Sequence, residues 1–251
     1  EYDDWQERMD VVFAINDGGT ELAEKILEEY ACRKIVQKNI DKMGCNERLE
    51  YQFVLMMQAH IMLCGKYDRT ELIAKLQSAA ALSIPQGTDV KFDCNKRIVL
   101  SVQELDILLE YYYQLVCREA EEKNIKDVDY YIGRIRKAID YILSADWFNT
   151  LSKASILPKA VYYGMLSIQK KMQLNADDHD GLIYIVDELN SYGRCLSDYD
   201  NAIEVLRNVG RTYYLAELCD MMDIIVSRMK KLLSEDVCKS MKLDYIKNTA
   251  D

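Results

Sequence analysis

Along most of this chain the apolar residues return every three or four positions, and no stretch alternates polar with apolar. At 100° per residue that spacing gives each segment an apolar stripe, the signature of an α-helix, and it leaves no strand to pair. An all-α fold is the class that fits. Composition agrees: 2 prolines and 10 glycines in 251 residues are few for a β-sandwich and suit long helices. Leu, Met, Ala, Ile and Tyr fill the apolar positions, with Glu, Lys and Gln between them, a mixture with good helix propensity.

About ten helices are predicted. The first runs from Asp3 to Ile15, with Trp5, Met9, Val12 and Phe13 facing one way, and "NDGG" (16–19) ends it with glycines free to turn left-handed. Thr20 caps the second, "ELAEKILEEYACRKI". A third follows Asn46 and stops at Gly65. Thr70 caps "ELIAKLQSAAALSI", which Pro85 and Gly87 close. Residues 84–99 form the longest irregular connection. Ser101 with Glu104 reads as a capping box, each side chain satisfying an orphan amide of the first turn. Asp127 caps "VDYYIGRIRKAIDYIL". Further helices are expected at 152–172, 179–190, 199–209, 211–233 and 235–246.

The helix after Ser101 carries Tyr111, Tyr112 and Tyr113 side by side. Three consecutive residues sweep about 200° of a helix surface, more than one buried stripe can hold. A helix between two neighbours resolves this, because it buries two faces. Hairpins of roughly 35–45 residues recur, the period of helical solenoids. Their second helices share a small Ala beside long aliphatics, as in "ELAEKILEEY" (21–30), "ELIAKLQSAA" (71–80), "YIGRIRKAIDYI" (131–142) and "YDNAIEVLRN" (199–208). The fold expected is a right-handed superhelix of tetratricopeptide-like hairpins, an α-solenoid, forming one domain over 1–251.

Hydrophobic residues at 49% and charged residues at 29% describe a soluble chain with a real core. The formal net charge of −10 repels phosphate backbones, so contact with DNA needs a separate basic module. Eight cysteines lie at least a dozen residues apart, with no C-x-x-C pair, and several fall in apolar helical runs where a thiol packs as a small hydrophobe. Reduced thiols point to the cytoplasm. The longest apolar stretch, Phe53 to Cys64, is too short to span a bilayer. The chain starts without Met inside a helical pattern, and is read as part of a longer protein.

Nothing argues for catalysis. No P-loop, G-x-G-x-x-G, G-x-S-x-G or H-E-x-x-H is present. His60 sits in an apolar helix as a core residue. His179 lies in the run "DDHD" (177–180), which lacks the spaced ligands of a calcium loop. No metal, cofactor or catalytic residue is expected. "SRMKKLL" (227–233) places cations near a helix C-terminus, where they oppose the dipole.

Four stretches, "YQFVLMMQAHIML" (51–63), "LSVQELDILLEYYYQL" (100–115), "LPKAVYYGML" (157–166) and "YDNAIEVLRNVGRTYYLAEL" (199–218), carry a family likeness. Through them the chain resembles the C-terminal tetratricopeptide-like sensor region of Firmicutes helix-turn-helix regulators of the XRE type, the Rgg/PlcR-like peptide-sensing group. The third stretch looks like that family's proline-started repeat helix. The resemblance implies a quorum-sensing regulator whose sensor domain dimerises and binds a short peptide in its concave groove. DNA is then touched only through an N-terminal helix-turn-helix that this chain lacks. Groove residues are expected on the first helices of the hairpins: Gln52, Met56, Tyr112, Lys159, Tyr163, Tyr213 and Glu217. Where the family places a backbone-reading asparagine, this chain has Tyr163 after Tyr162, and Met221 in the last repeat, which implies either a more aromatic and apolar groove or a different ligand. The alternative reading is a protein–protein interaction scaffold of tetratricopeptide type, without a gene-regulatory role.

Overall fold

The computed structural model describes residues 2–37, 39–92, 98–145, 147–148 and 150–174. The four helices expected beyond residue 174, together with Cys195, Cys219, Cys238, His179 and the basic run 227–233, lie outside these residues. Among the described residues the regular elements are seven α-helices and no strand. They are α1 (Tyr2–Asn16), α2 (Thr20–Lys34), α3 (Cys45–Leu63), α4 (Arg69–Ser83), α5 (Val102–Glu121), α6 (Ile125–Ser144) and α7 (Thr150–Leu174). Short 3-10 turns cover Ile40–Lys42 and Gly87–Asp89. Over the described residues the all-α expectation therefore holds. Residues gather into two compact units that divide between Lys91 and Phe92.

In the first unit, α2 packs on α1 and α3, and α4 packs back along α3. Val11, Leu27, Tyr30, Phe53, Met57 and Ile61 make one buried cluster there. Tyr30 is fully buried, so its hydroxyl needs partners. Arg8 Nε donates to it at 2.8 Å, and it donates in turn to Glu50. Arg8 also pairs with Glu50 at 2.7 Å and lies 5.0 Å from the Phe53 ring centre. Burial, with the Glu50 carboxylate at hand, pushes the Tyr30 phenol up to about 12. The phenol stays protonated and joins α1, α2 and α3 through one oxygen. The small alanines behave as expected: Ala23, Ala79 and Ala138 are wholly buried.

In the second unit, α5 packs on both α6 and α7. Six consecutive residues of α5, Leu105 to Glu110, are buried, so the helix has no open side over that stretch. By contrast α6 buries a single stripe through Val128, Ile132, Ile135, Ile139 and Ile142, stepping by four and three. The tyrosine triplet divides accordingly. Tyr112 turns to α6, where Arg134 Nη2 donates to its hydroxyl at 2.6 Å. Tyr113 turns to α7, its ring 5.4 Å from that of Tyr163. Tyr111 is half-buried, edge-on to Tyr112. At the far end of the hairpin, Tyr141 donates to Ile98 O at 2.5 Å and accepts from Leu100 N at 3.0 Å. Phe148 and Trp147 pack around the same ring, at 6.3 and 5.7 Å.

Helix ends follow the predicted logic with shifted residues. The Ser101–Glu104 capping box forms as expected, with Ser101 Oγ accepting from Glu104 N at 3.2 Å and Glu104 accepting from Ser101 N at 2.7 Å. Thr70 is not the cap of α4: Asp68 holds that place and accepts from Thr70 N at 2.7 Å. Thr20 and Asn46 are inside α2 and α3, which start after Gly19 and Gly44. Asp127 is inside α6, which starts after Asn124. Pro158 does not start a helix either; it falls nine residues into α7. There it lacks the amide an interior position normally donates.

Two helices end in the same six-to-one wrap. Gly19 N reaches Ala14 O after α1, and Asn124 N reaches Glu119 O after α5. In the first the left-handed residue is Gly18, at φ 77°; in the second it is Lys123, at φ 58°. A side chain in that region costs roughly 1–2 kcal/mol that glycine does not. Lys123→Gly is therefore expected to stabilise the chain by about 0.5–1 kcal/mol in urea unfolding, net of the entropy glycine adds to the unfolded state. An unchanged or lower midpoint would refute that account of the turn.

Candidate functional site

Of the seven residues expected to line a groove, two meet in one arrangement, between α5 and α7. Asp106, Glu110 and Gln114 recur every four residues along α5, which puts them on one face. On α7, Lys159, Tyr163 and Ser167 do the same. Lys159 Nζ lies 3.0 Å from Asp106 Oδ2, and the Tyr163 hydroxyl donates to Glu110 Oε2. Both pairs are 53 residues apart, so the two helices run parallel in a fixed register. Gln114 Nε2 donates to the other Glu110 oxygen at 2.7 Å.

Glu110 is 3% exposed. Burial pushes its carboxyl above the ordinary value of 4.5, Asp106 adds to the push, and the bonds from Gln114 and Tyr163 with the Lys159 charge oppose it. Burial raises the Tyr163 phenol well above 10 and Tyr113 likewise, the latter beside the buried Cys117. Both phenols remain donors. The polar groups along this seam are engaged with one another, which makes it a joint between helices.

The other expected residues stand elsewhere. Gln52 is 1% exposed and faces α4, donating to Ala79 O at 2.9 Å and Ser83 Oγ at 2.6 Å. It closes the α3–α4 hairpin. Met56 is half-buried against the first unit's core, and Tyr112 is held under Arg134. Tyr213 and Glu217 lie outside the described residues.

Open space lies in the first unit, on residues that the sequence reading passed over. A cavity of about 470 Å³ sits between α2, the end of α3 and the start of α4. Leu27, Ile61 and Met62 form its apolar floor, Glu24 and Glu28 stand on its α2 side, and Lys66, Glu71 and Lys75 on the other. A second hollow of about 300 Å³ continues along the α3–α4 seam past Tyr51, Leu55, Ser78 and Leu82, sharing Glu71 and Lys75 with the first. On α3 the lining residues 51, 55, 58 and 62 form a stripe at helical spacing. That stripe is visible in the sequence but reads as another core face.

Among the described residues no group of three or more His, Cys, Asp or Glu side chains could hold a metal ion, and no helix is long and apolar enough to cross a membrane. Cys32, Cys45, Cys64 and Cys117 are free thiols, Cys64 at the cavity edge. Compared with protein-family models, curated proteins and solved structures, the chain matches none.

The raised Glu110 carboxyl fixes a sign. The folded state holds that proton more tightly than the unfolded chain, so stability from it is present below pH 4.5 and is lost as pH rises through the folded value. Glu110→Gln keeps the shape and removes the charge. Urea midpoints measured from pH 4 to pH 8 are expected to fall for the parent relative to Glu110→Gln as pH rises. Parallel profiles would show that the buried carboxylate is not resisted by its surroundings.

Proposed function

We propose that this chain is the ligand-sensing and dimerisation part of a cytoplasmic bacterial transcriptional regulator. In this reading its hairpins belong to a tetratricopeptide-like α-solenoid and its ligand is a short peptide. The carrying observation is the cavity of the first unit, where an apolar floor lies between charged walls. Ligand sites combine those two properties: the floor supplies affinity through burial and the walls fix orientation. The parallel pairing of α5 with α7 also supports the reading, since successive first helices of stacked hairpins run in the same direction.

Regulation would proceed by population shift. A ligand that fits one relative setting of the helices better than another draws the population toward it. Attached DNA-binding domains, brought by a separate N-terminal segment of each protomer in a homodimer, would be repositioned. No enzymatic step belongs to this reading.

Passing a randomised heptapeptide library over the immobilised chain tests it, with retained peptides identified by mass spectrometry. Peptides should be retained. Met62→Glu, which puts a charge on the cavity floor, should weaken their binding about tenfold or more, a loss of about 1.4 kcal/mol. Its melting temperature should stay near the parent's, because Met62 is only half-buried. Absence of retained peptides, or equal retention by Met62→Glu, would remove the support.

A further inference from the structure

The cavity walls differ in charge, and this difference is independent of the apolar floor. Glu24 and Glu28 are one turn apart on α2, which sets both carboxylates on the same wall. Both are exposed, and among the described residues neither is engaged in a hydrogen bond or ion pair. Across the cavity stand Lys66, past the end of α3, and Lys75 of α4. Lys75 is half-buried and donates to Gln58 Oε1 at 3.0 Å. A neutral amide orients that ammonium without cancelling its charge. Glu71, one turn before Lys75, offsets one of the two lysines. Among the described residues the α2 wall thus carries two uncompensated negative charges, and the opposite wall a positive excess.

We infer that the groove takes a peptide of split charge. A basic side chain or free amino terminus docks on Glu24 and Glu28, apolar residues lie over Leu27, Ile61 and Met62, and the carboxyl terminus faces Lys66 and Lys75. This rests on the peptide-binding reading above and adds polarity to it. The charges complement one another only when the peptide lies one way round, so the walls select direction as well as composition. An acidic peptide meets uncompensated carboxylates along α2, and an amidated one leaves the lysines without an anion.

Three pools of synthetic heptapeptides test this, all randomised over Leu, Ile, Met and Phe at their five central positions. The first has Lys at the amino end and a free carboxylate, the second is the same with an amidated end, and the third has an acetylated Glu in place of Lys. Affinities are measured by calorimetry on the parent chain and on Glu24→Lys/Glu28→Lys. On the parent, the first pool should bind about tenfold tighter than the third and about threefold tighter than the second. On the double variant the first and third pools should exchange rank, and high salt should compress every difference. Both substituted positions are exposed, so circular dichroism should show the helices intact. Equal binding of the three pools overturns the split-charge inference and leaves the peptide reading standing. No binding by any pool overturns both.

Discussion

A helix buried around its whole circumference cannot be satisfied by one neighbour, and the second unit depends on this constraint. From Leu105 to Glu110 no side chain of α5 reaches water freely. The apolar members could be covered by any oily surface. Asp106 and Glu110 could not, because a buried carboxylate needs donors placed within bonding distance. Lys159, Tyr163 and Gln114 meet that need. The partner on that flank is thus chosen by geometry as well as by hydrophobicity. Sliding α7 one turn along α5 would move Tyr163 away from Glu110 and Lys159 away from Asp106 together. Buried polar pairs of this kind add little net stability compared with good apolar packing, and their effect is to fix register.

The two units use related means for joining helices. In each, a buried tyrosine hydroxyl takes a bond from an arginine whose guanidinium also lies over an aromatic ring: Arg8 with Tyr30 and Phe53, Arg134 with Tyr112 and Phe92. The phenol supplies bulk for the core and one polar atom to anchor the cation. The eighteen tyrosines of the chain have a structural reason where this arrangement recurs. The polar atoms so engaged are closed to ligands, whereas the open cavity is walled by Glu24 and Glu28 of α2, which among the described residues have no such engagement.

How far the sequence could be read follows from how local each interaction is. The capping box is local: Ser101 and Glu104 are three apart, and the structure keeps them. The glycine turn after α1 is local too. The matching turn after α5 was not legible, because Lys123 sits where glycine is favoured and only the surrounding wrap holds it there. Asp68 takes the cap that Thr70 was expected to hold: its carboxylate accepts from Thr70 N, which places Thr70 inside the first turn. Sandwiching of the tyrosine helix was readable from the width of its aromatic band. The placement of individual groove residues was not. Gln52 looks like a ligand-reading amide, yet its partners, Ala79 and Ser83, are 27 and 31 residues away. The cavity was missed because its lining comes from three helices, each contributing residues that look ordinary alone.

Tyr141 ties together two places that the chain visits far apart. Its oxygen holds the backbone on both sides of Val99, and its ring is wedged against Trp147 and Phe148. The entry to α5 and the passage from α6 into α7 are thereby clasped by one side chain. A tug on the segment ahead of α5 would reach the root of α7 through a single aromatic ring, bypassing the forty residues of helix between them. The hairpin is therefore clasped at both ends, by one aromatic ring at its open mouth and by the wrap of Asn124 onto Glu119 where the chain turns back.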